Sequence, residues 1–129
     1  MQYFTSETLK VYQTGEYPFL IVEPLGNLSL EQYKAALSDP SIGNSLDQSQ
    51  LKMVYLELNG IWTVGMDQQA WTVGEFQSAL KAKGVQKMAI GLAEHVYPTF
   101  EMLARMYEGQ ALIPTKYFPD LGQMVAFLR

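Results

Sequence analysis

Leu51-Lys52-Met53-Val54-Tyr55-Leu56-Glu57-Leu58 is the stretch on which the fold turns. Successive side chains of a strand point to opposite faces. Here Met53 and Tyr55 fall on one face and Val54, Leu56 and Leu58 on the other, so both faces are apolar and both need cover. That is the signature of a central strand in a sheet packed on both sides, the arrangement of parallel strands in α/β proteins. Upstream, Asp39 to Gln50 (DPSIGNSLDQSQ) is rich in Ser, Asp, Gly, Pro and Asn and has neither helical nor strand period, which reads as a mobile surface loop. Before it, Ser29 with Gln32 three residues on forms a capping box, and Leu30, Tyr33 and Leu37 recur at helical spacing, giving a helix over 30–38. Earlier still, Leu9, Val11 and Tyr12 are separated by Thr14-Gly15-Glu16 from Phe19-Leu20-Ile21-Val22, a hairpin signature. Pro18 belongs at the start of the second strand and Pro24 at its end, because proline cannot donate to the ladder.

Downstream of the central run comes Asn59-Gly60-Ile61-Trp62-Thr63-Val64-Gly65-Met66, a loop bracketed by glycines yet carrying four large apolar side chains. Asp67 is a candidate cap for the next helix, whose Val73, Phe76 and Leu80 make an i, i+3, i+7 stripe with Ala70 and Trp71 beside it. Gly84 supplies the residue after that helix, following Lys81 and Lys83, whose charges suit a helix C-terminus. Val85 to Leu92 is a second central strand, with Met88, Ile90 and Leu92 on one face; small Ala89 and Gly91 on the other let a helix pack closely. Pro98 opens a helix carrying Phe100, Leu103, Ala104 and Tyr107, which Gly109 terminates. Ala111-Leu112-Ile113 and Lys116-Tyr117-Phe118 form a last strand that Pro114 interrupts and thereby demotes to a sheet edge. Asp120 with Gln123 resembles another capping box, before Leu121, Met124, Val125 and Leu128. The order is ββαβαβαβα, a mixed five-stranded sheet with four helices in a single domain over residues 1–129. Alternating strands and helices imply parallel pairing after the N-terminal hairpin.

The layout resembles a group of small bacterial STAS-like proteins, similar in fold to anti-sigma-factor antagonists. The residues that carry the resemblance are Leu20-Ile21-Val22-Glu23, the helix start Asp67-Gln68-Gln69-Ala70-Trp71, the strand Gly84-Val85-Gln86-Lys87-Met88-Ala89-Ile90, and Tyr117-Phe118 before a short terminal helix. The resemblance implies an α/β domain with no assigned chemistry. Where phosphorylated STAS domains place a Ser or Thr at the start of the helix after the central strand, this chain has Met66-Asp67-Gln68-Gln69, so the phosphoacceptor the resemblance implies is missing. Thr63 and Thr72 flank the position outside the expected context. Glu57 stands where relatives carry Asp.

The composition excludes several function classes. The 129 residues are 48% hydrophobic and 12% aromatic, and size scaling lets a chain of this length bury roughly two thirds of its unfolded surface. The absence of cysteine removes disulfides, thiolate metal sites and a cysteine nucleophile. A net charge of −4 with nine scattered basic residues opposes nucleic-acid binding; Lys81, Lys83 and Lys87 are the one close group, read as a solvated helix end. The sequence shows no dinucleotide or phosphate-loop fingerprint, no secretory signal and no apolar run of membrane-spanning length, so the expected location is cytoplasmic and no cofactor is assigned. His95, beside Glu94 and near Glu101, is the single imidazole; with no second histidine it is expected to be an exposed loop residue, and neither a catalytic residue nor a metal ligand is assigned. The informative residues are Ile61, Trp62, Val64, Met66 and Trp71, beside the C-terminal end of a central strand, where ligands gather in α/β sheets. They either complete the core or form an interaction surface for a partner or a second copy. The expected function is a non-enzymatic regulatory or protein-interaction domain, self-associating as a homodimer through 61–71. The alternative is binding of a small apolar or lipid-like ligand, by analogy with the sheet of CRAL-TRIO domains.

Overall fold

The first quarter of the chain forms three antiparallel strands in the computed structural model. It describes residues 1–15, 17–26, 28–58, 66–91, 112–118 and 121–128. β1 (Gln2–Thr5), β2 (Leu9–Tyr12) and β3 (Leu20–Pro24) pair in sequence order. The expected hairpin is β2–β3, with Val11 opposite Val22 and Tyr12 opposite Ile21. Pro24 ends β3, and Pro18 lies in the bend before it. β1 makes the sheet one strand larger than the sequence pattern indicates. Its residues carry no fully buried face, so no period-2 signal marks it. A register shift between Gln2 and Phe4 accompanies the placement of adjacent Tyr3 and Phe4 against the same core cluster.

The parallel half consists of β4 (Met53–Glu57), β5 (Lys87–Gly91) and β6 (Thr115–Phe118), joined to β3 in the order β3-β4-β5-β6. Both faces of β4 are covered, as its composition requires. Val54, Leu56 and Leu58 join Leu20, Val22 and Ile90 in the larger cluster, while Tyr55 packs with Phe19, Ile21 and Ala89 on the opposite face. β6 begins directly after Pro114 and is an edge strand; the Pro114 carbonyl still accepts the Met88 amide at 3.0 Å.

Residues 39–50 are a helix, not the expected loop. After α1 (Leu30–Leu37), whose Ser29/Gln32 capping box is formed, α2 runs Pro40–Ser49. Asp39 caps it, its carboxylate accepting the Ser41 amide at 2.9 Å, and Pro40 occupies the first turn, where its missing N–H is harmless. Ser, Gly and Asn lower the intrinsic helix propensity, but Ile42 and Leu46, spaced i, i+4, are buried and α2 packs against β1 and β2. Burial of that narrow stripe outweighs the local preference. Gln50 ends the helix in the left-handed region with φ 61°.

The segment after β4 is three pieces instead of one uniform helix. α3 (Met66–Trp71) leads into a π-helical turn (Thr72–Phe76) and then α4 (Gln77–Ala82). Asp67 therefore lies within the first turn of α3, not at the expected cap, where its charge still complements the helix dipole. Val73, Phe76 and Leu80 are all buried. Gly84, at φ +87°, donates to the Lys81 carbonyl while Val85 donates to that of Leu80, a Schellman ending that requires the left-handed region. α1 to α4 contribute Tyr33, Leu37, Ile42, Leu46, Trp71, Phe76 and Leu80 to one face of the sheet; α5 (Leu121–Leu128) places Met124 and Val125 on the other. The helix expected from Pro98 to Tyr107, the Asp120 cap and Leu92 lie outside the described residues.

Candidate functional site

The carboxyl ends of β3, β4 and β5 and the start of α3 form the region that the sequence marks. Of its residues, Ile61, Trp62 and Val64 lie outside the described residues, as do His95, Glu94 and Glu101. Met66 is the first residue of α3. Trp71 is placed in full, and it is a core residue at 9% exposure. Its ring stacks on Phe76 with centroids 6.0 Å apart and meets Tyr33 edge-on at 5.9 Å. Its indole N–H donates to Glu75 Oε2 at 2.7 Å, one turn along the helix. A buried indole thus finds its partner in a carboxylate from its own helix, as the polar handle of tryptophan requires.

Beneath Trp71 lies a buried hydroxyl chain. Thr72 Oγ1 donates to the Gln68 carbonyl at 2.7 Å, and since that uses its single hydrogen, the Tyr33 phenol donates to Thr72 at 2.8 Å. Burial holds the Tyr33 phenol far above the ordinary tyrosine range, only partly offset by the Thr72 hydrogen bond, so it acts as a permanent donor. Thr72 itself is 1% exposed. It therefore offers no accessible hydroxyl in place of the missing phosphoacceptor; the residues at the helix start are exposed Asp67 and buried Gln68. Thr63 lies outside the described residues.

On the other face of the sheet the strands bring together a cluster that sequence reasoning missed. Tyr12 Oη donates to Glu23 Oε1 at 3.1 Å, and Tyr55 Oη donates to Glu57 Oε2 at 3.1 Å. Glu23 and Glu57 stand at the carboxyl ends of the parallel strands β3 and β4. Gly91, opposite Glu57 on β5, leaves the space that the Tyr55 phenol fills: a Cβ there would overlap the hydroxyl and lie 3.1 Å from Glu57 Oε1. The small face of β5 thus admits a tyrosine at Gly91, and Ala89 packs in the cluster that holds Met124 and Val125 of α5. Tyr12 is pushed up to about 12, by burial first and then by the Glu23 charge, its hydrogen bond to Glu23 and the Glu57 charge. Tyr12 is therefore a donor that fixes a carboxylate, not a base, and Tyr55 fixes Glu57 through its own phenol hydrogen bond. The available signal was the period-2 placement of Tyr55 and Glu57 opposite Gly91, whose meaning depends on strand register.

A second buried polar group ties the sheet edge to the helices. Gln77, fully buried, donates from Nε2 to Thr115 Oγ1 at 2.6 Å and to Met88 Sδ at 3.4 Å. Its Oε1 accepts the amides of Leu112 at 3.0 Å and Ile113 at 3.2 Å. Among the described residues, no three His, Asp or Glu side chains converge as a metal ion would need, and no helix is long and apolar enough to cross a membrane.

These features define a mixed α/β domain, and its fold is STAS-like. A crystal structure of an uncharacterized protein from the DUF3478 family, with a SpoIIAA-like fold, from Shewanella loihica PV-4 superposes with a TM-score of 0.57. The match spans 94% of this chain and 92% of that one at 17% sequence identity. At that identity the likeness is one of fold. Neither a family model nor a curated protein matches the chain.

Proposed function

We infer that this chain is a non-enzymatic regulatory or protein-interaction domain that self-associates through Ile61, Trp62, Val64 and Met66. The observation that carries the reading is the composition of Asn59 to Met66: large apolar residues bracketed by glycines, leaving the carboxyl end of β4. Large apolar residues in a connecting segment mark contact surfaces more often than the polar residues usual there. Trp71, first grouped with them, is used by the core, which leaves Trp62 as the tryptophan available to the contact. The polar interior supports the same reading. Gln77, Thr72 and Tyr33 are engaged in holding one element to another, and the tyrosines of the Glu23 and Glu57 cluster act as fixed donors.

Light scattering over about a hundredfold range of concentration tests it, because a dimer linked by mass action changes its apparent mass across such a range. The wild type is expected to rise toward twice the monomer mass, and Trp62→Ala to stay monomeric. A wild type that remains monomeric throughout removes the self-association reading.

A further inference from the structure

Four basic residues that look scattered in sequence are gathered at one end of the sheet. Lys52 directly precedes β4 and Lys87 opens β5; the Lys52 carbonyl accepts the Gln86 amide at 2.7 Å, so the two backbones are adjacent. Lys81 lies in the last turn of α4 and Lys83 is its C-cap. Lys52 Nζ comes within 3.1 Å of the place a Cβ on Gly84 would take, which brings it to the turn between Lys83 and Val85. All four lysines are exposed. Lys83 is paired with Asp47 of α2 at 2.7 Å; among the described residues Lys52, Lys81 and Lys87 have no ion-pair partner. Four of the chain's nine basic residues therefore form one rim at the amino ends of the parallel strands, opposite the end that carries Glu23 and Glu57.

We propose that this lysine rim is a docking surface for an acidic protein segment, one rich in Asp and Glu. With Asp47 included the rim carries +3, which leaves −7 on the rest of a chain whose net charge is −4. Such a charge separation steers and orients an acidic partner toward one end of the molecule. It also limits the partner's size. Beyond about 10 Å, the screening length near 0.1 M salt, a long polyanion meets the acidic remainder and is repelled, whereas a short acidic segment touches the rim alone. Gly84 adds a backbone without a side chain at the centre of the rim. The proposal rests on the interaction-domain reading and names the chemistry of a partner at a second surface.

The test is fluorescence anisotropy with a labelled Glu/Ser peptide of about a dozen residues, beside a Gln/Ser peptide and an oligothymidylate of equal length, at low and moderate salt. The acidic peptide is expected to bind, to weaken as salt rises, and to bind about tenfold less well to Lys52→Glu/Lys87→Glu, given that exposed ion pairs contribute weakly and together. Lys10→Glu, which reverses a charge at the opposite end, is expected to change binding less than about twofold. The milder Lys81→Gln/Lys83→Gln variant, checked for folding by circular dichroism, should weaken binding in the same direction. Amide resonances that move on titration should cluster at 52, 81–84 and 87. Equal losses for Lys10→Glu and the rim variant, or equal binding of the Gln/Ser peptide, would overturn the proposal. Oligothymidylate bound as tightly as the acidic peptide would overturn it in favour of nucleic acid. A failed peptide titration beside a Trp62-dependent dimer would remove the rim and leave the interaction-domain reading standing.

Discussion

Replacing Gln77 tests whether one buried amide holds the β6 edge to the helices. Gln77→Leu keeps the size and removes all four polar contacts. The Ile113 amide is then a buried donor without an acceptor, which costs about 1–3 kcal/mol. The Leu112 amide belongs to a residue that is 45% exposed, so water restores part of its bond and the cost there is under about 1 kcal/mol. Losing the Thr115 contact adds about 1 kcal/mol. The total is about 3 kcal/mol, a large share of the ~5–15 kcal/mol that stabilises a domain of this kind. Urea denaturation at neutral pH measures it, and exchange of the β6 amides should rise together with it. Gln77→Glu adds a pH axis. A protonated carboxyl can still donate to Thr115 and accept from Ile113, so near pH 4 this variant should match the wild type. Burial raises the carboxyl's folded pKa above the unfolded value of about 4.3, so stability is fully present below that value. It then falls by about 1.4 kcal/mol per pH unit until the folded pKa is reached. A Leu variant within about 0.5 kcal/mol of wild type, or a Glu variant with a flat pH profile, would refute the reasoning.

Gly91→Ala should destabilise the fold by about 2–4 kcal/mol, since the added methyl displaces the Tyr55 phenol from Glu57; chemical denaturation checks it, and the penalty should shrink in a Tyr55→Leu background. In ultraviolet titration Tyr12 should ionise at about 12, and Glu23→Gln should lower that value only in part, because burial, the largest cause, and the Glu57 charge remain. Because its folded value lies above the unfolded one, the stability linked to it is complete below pH 10 and is lost as pH rises through 12. Asp39→Ala should lower stability by about 1 kcal/mol by removing the cap of α2, with a loss of helical circular dichroism; no change in either would mean that the helix does not depend on its cap.

Much of this architecture is written in local patterns. The capping box at Ser29 and Gln32, the two-faced apolar run at 51–58, the Gly84 ending and the Val73, Phe76 and Leu80 stripe each depend on residues within two turns or one strand. Their physics is complete at that range. By the same route the alternation of strands and helices led to a mixed α/β sheet with parallel strands after an antiparallel start. α2 was illegible because its Ser, Gly and Asn favour loops, and only the burial of Ile42 and Leu46 against β1 and β2 reverses that preference. β1 was illegible because an edge strand with half-buried residues has no period of its own and exists through its pairing with β2.

The sequence by itself determined the class of fold, the absence of thiol chemistry, the charge balance and the unusual apolar stretch after β4. Only the tertiary structure decided that Trp71 is core, that Tyr12 and Tyr55 fix Glu23 and Glu57, that Gln77 joins a helix to β6, and that Lys52 completes a rim with Lys81, Lys83 and Lys87. Each of these joins residues on different strands and helices, or depends on what packs around them. Strand register and helix packing set such proximities, and a local pattern carries no record of them.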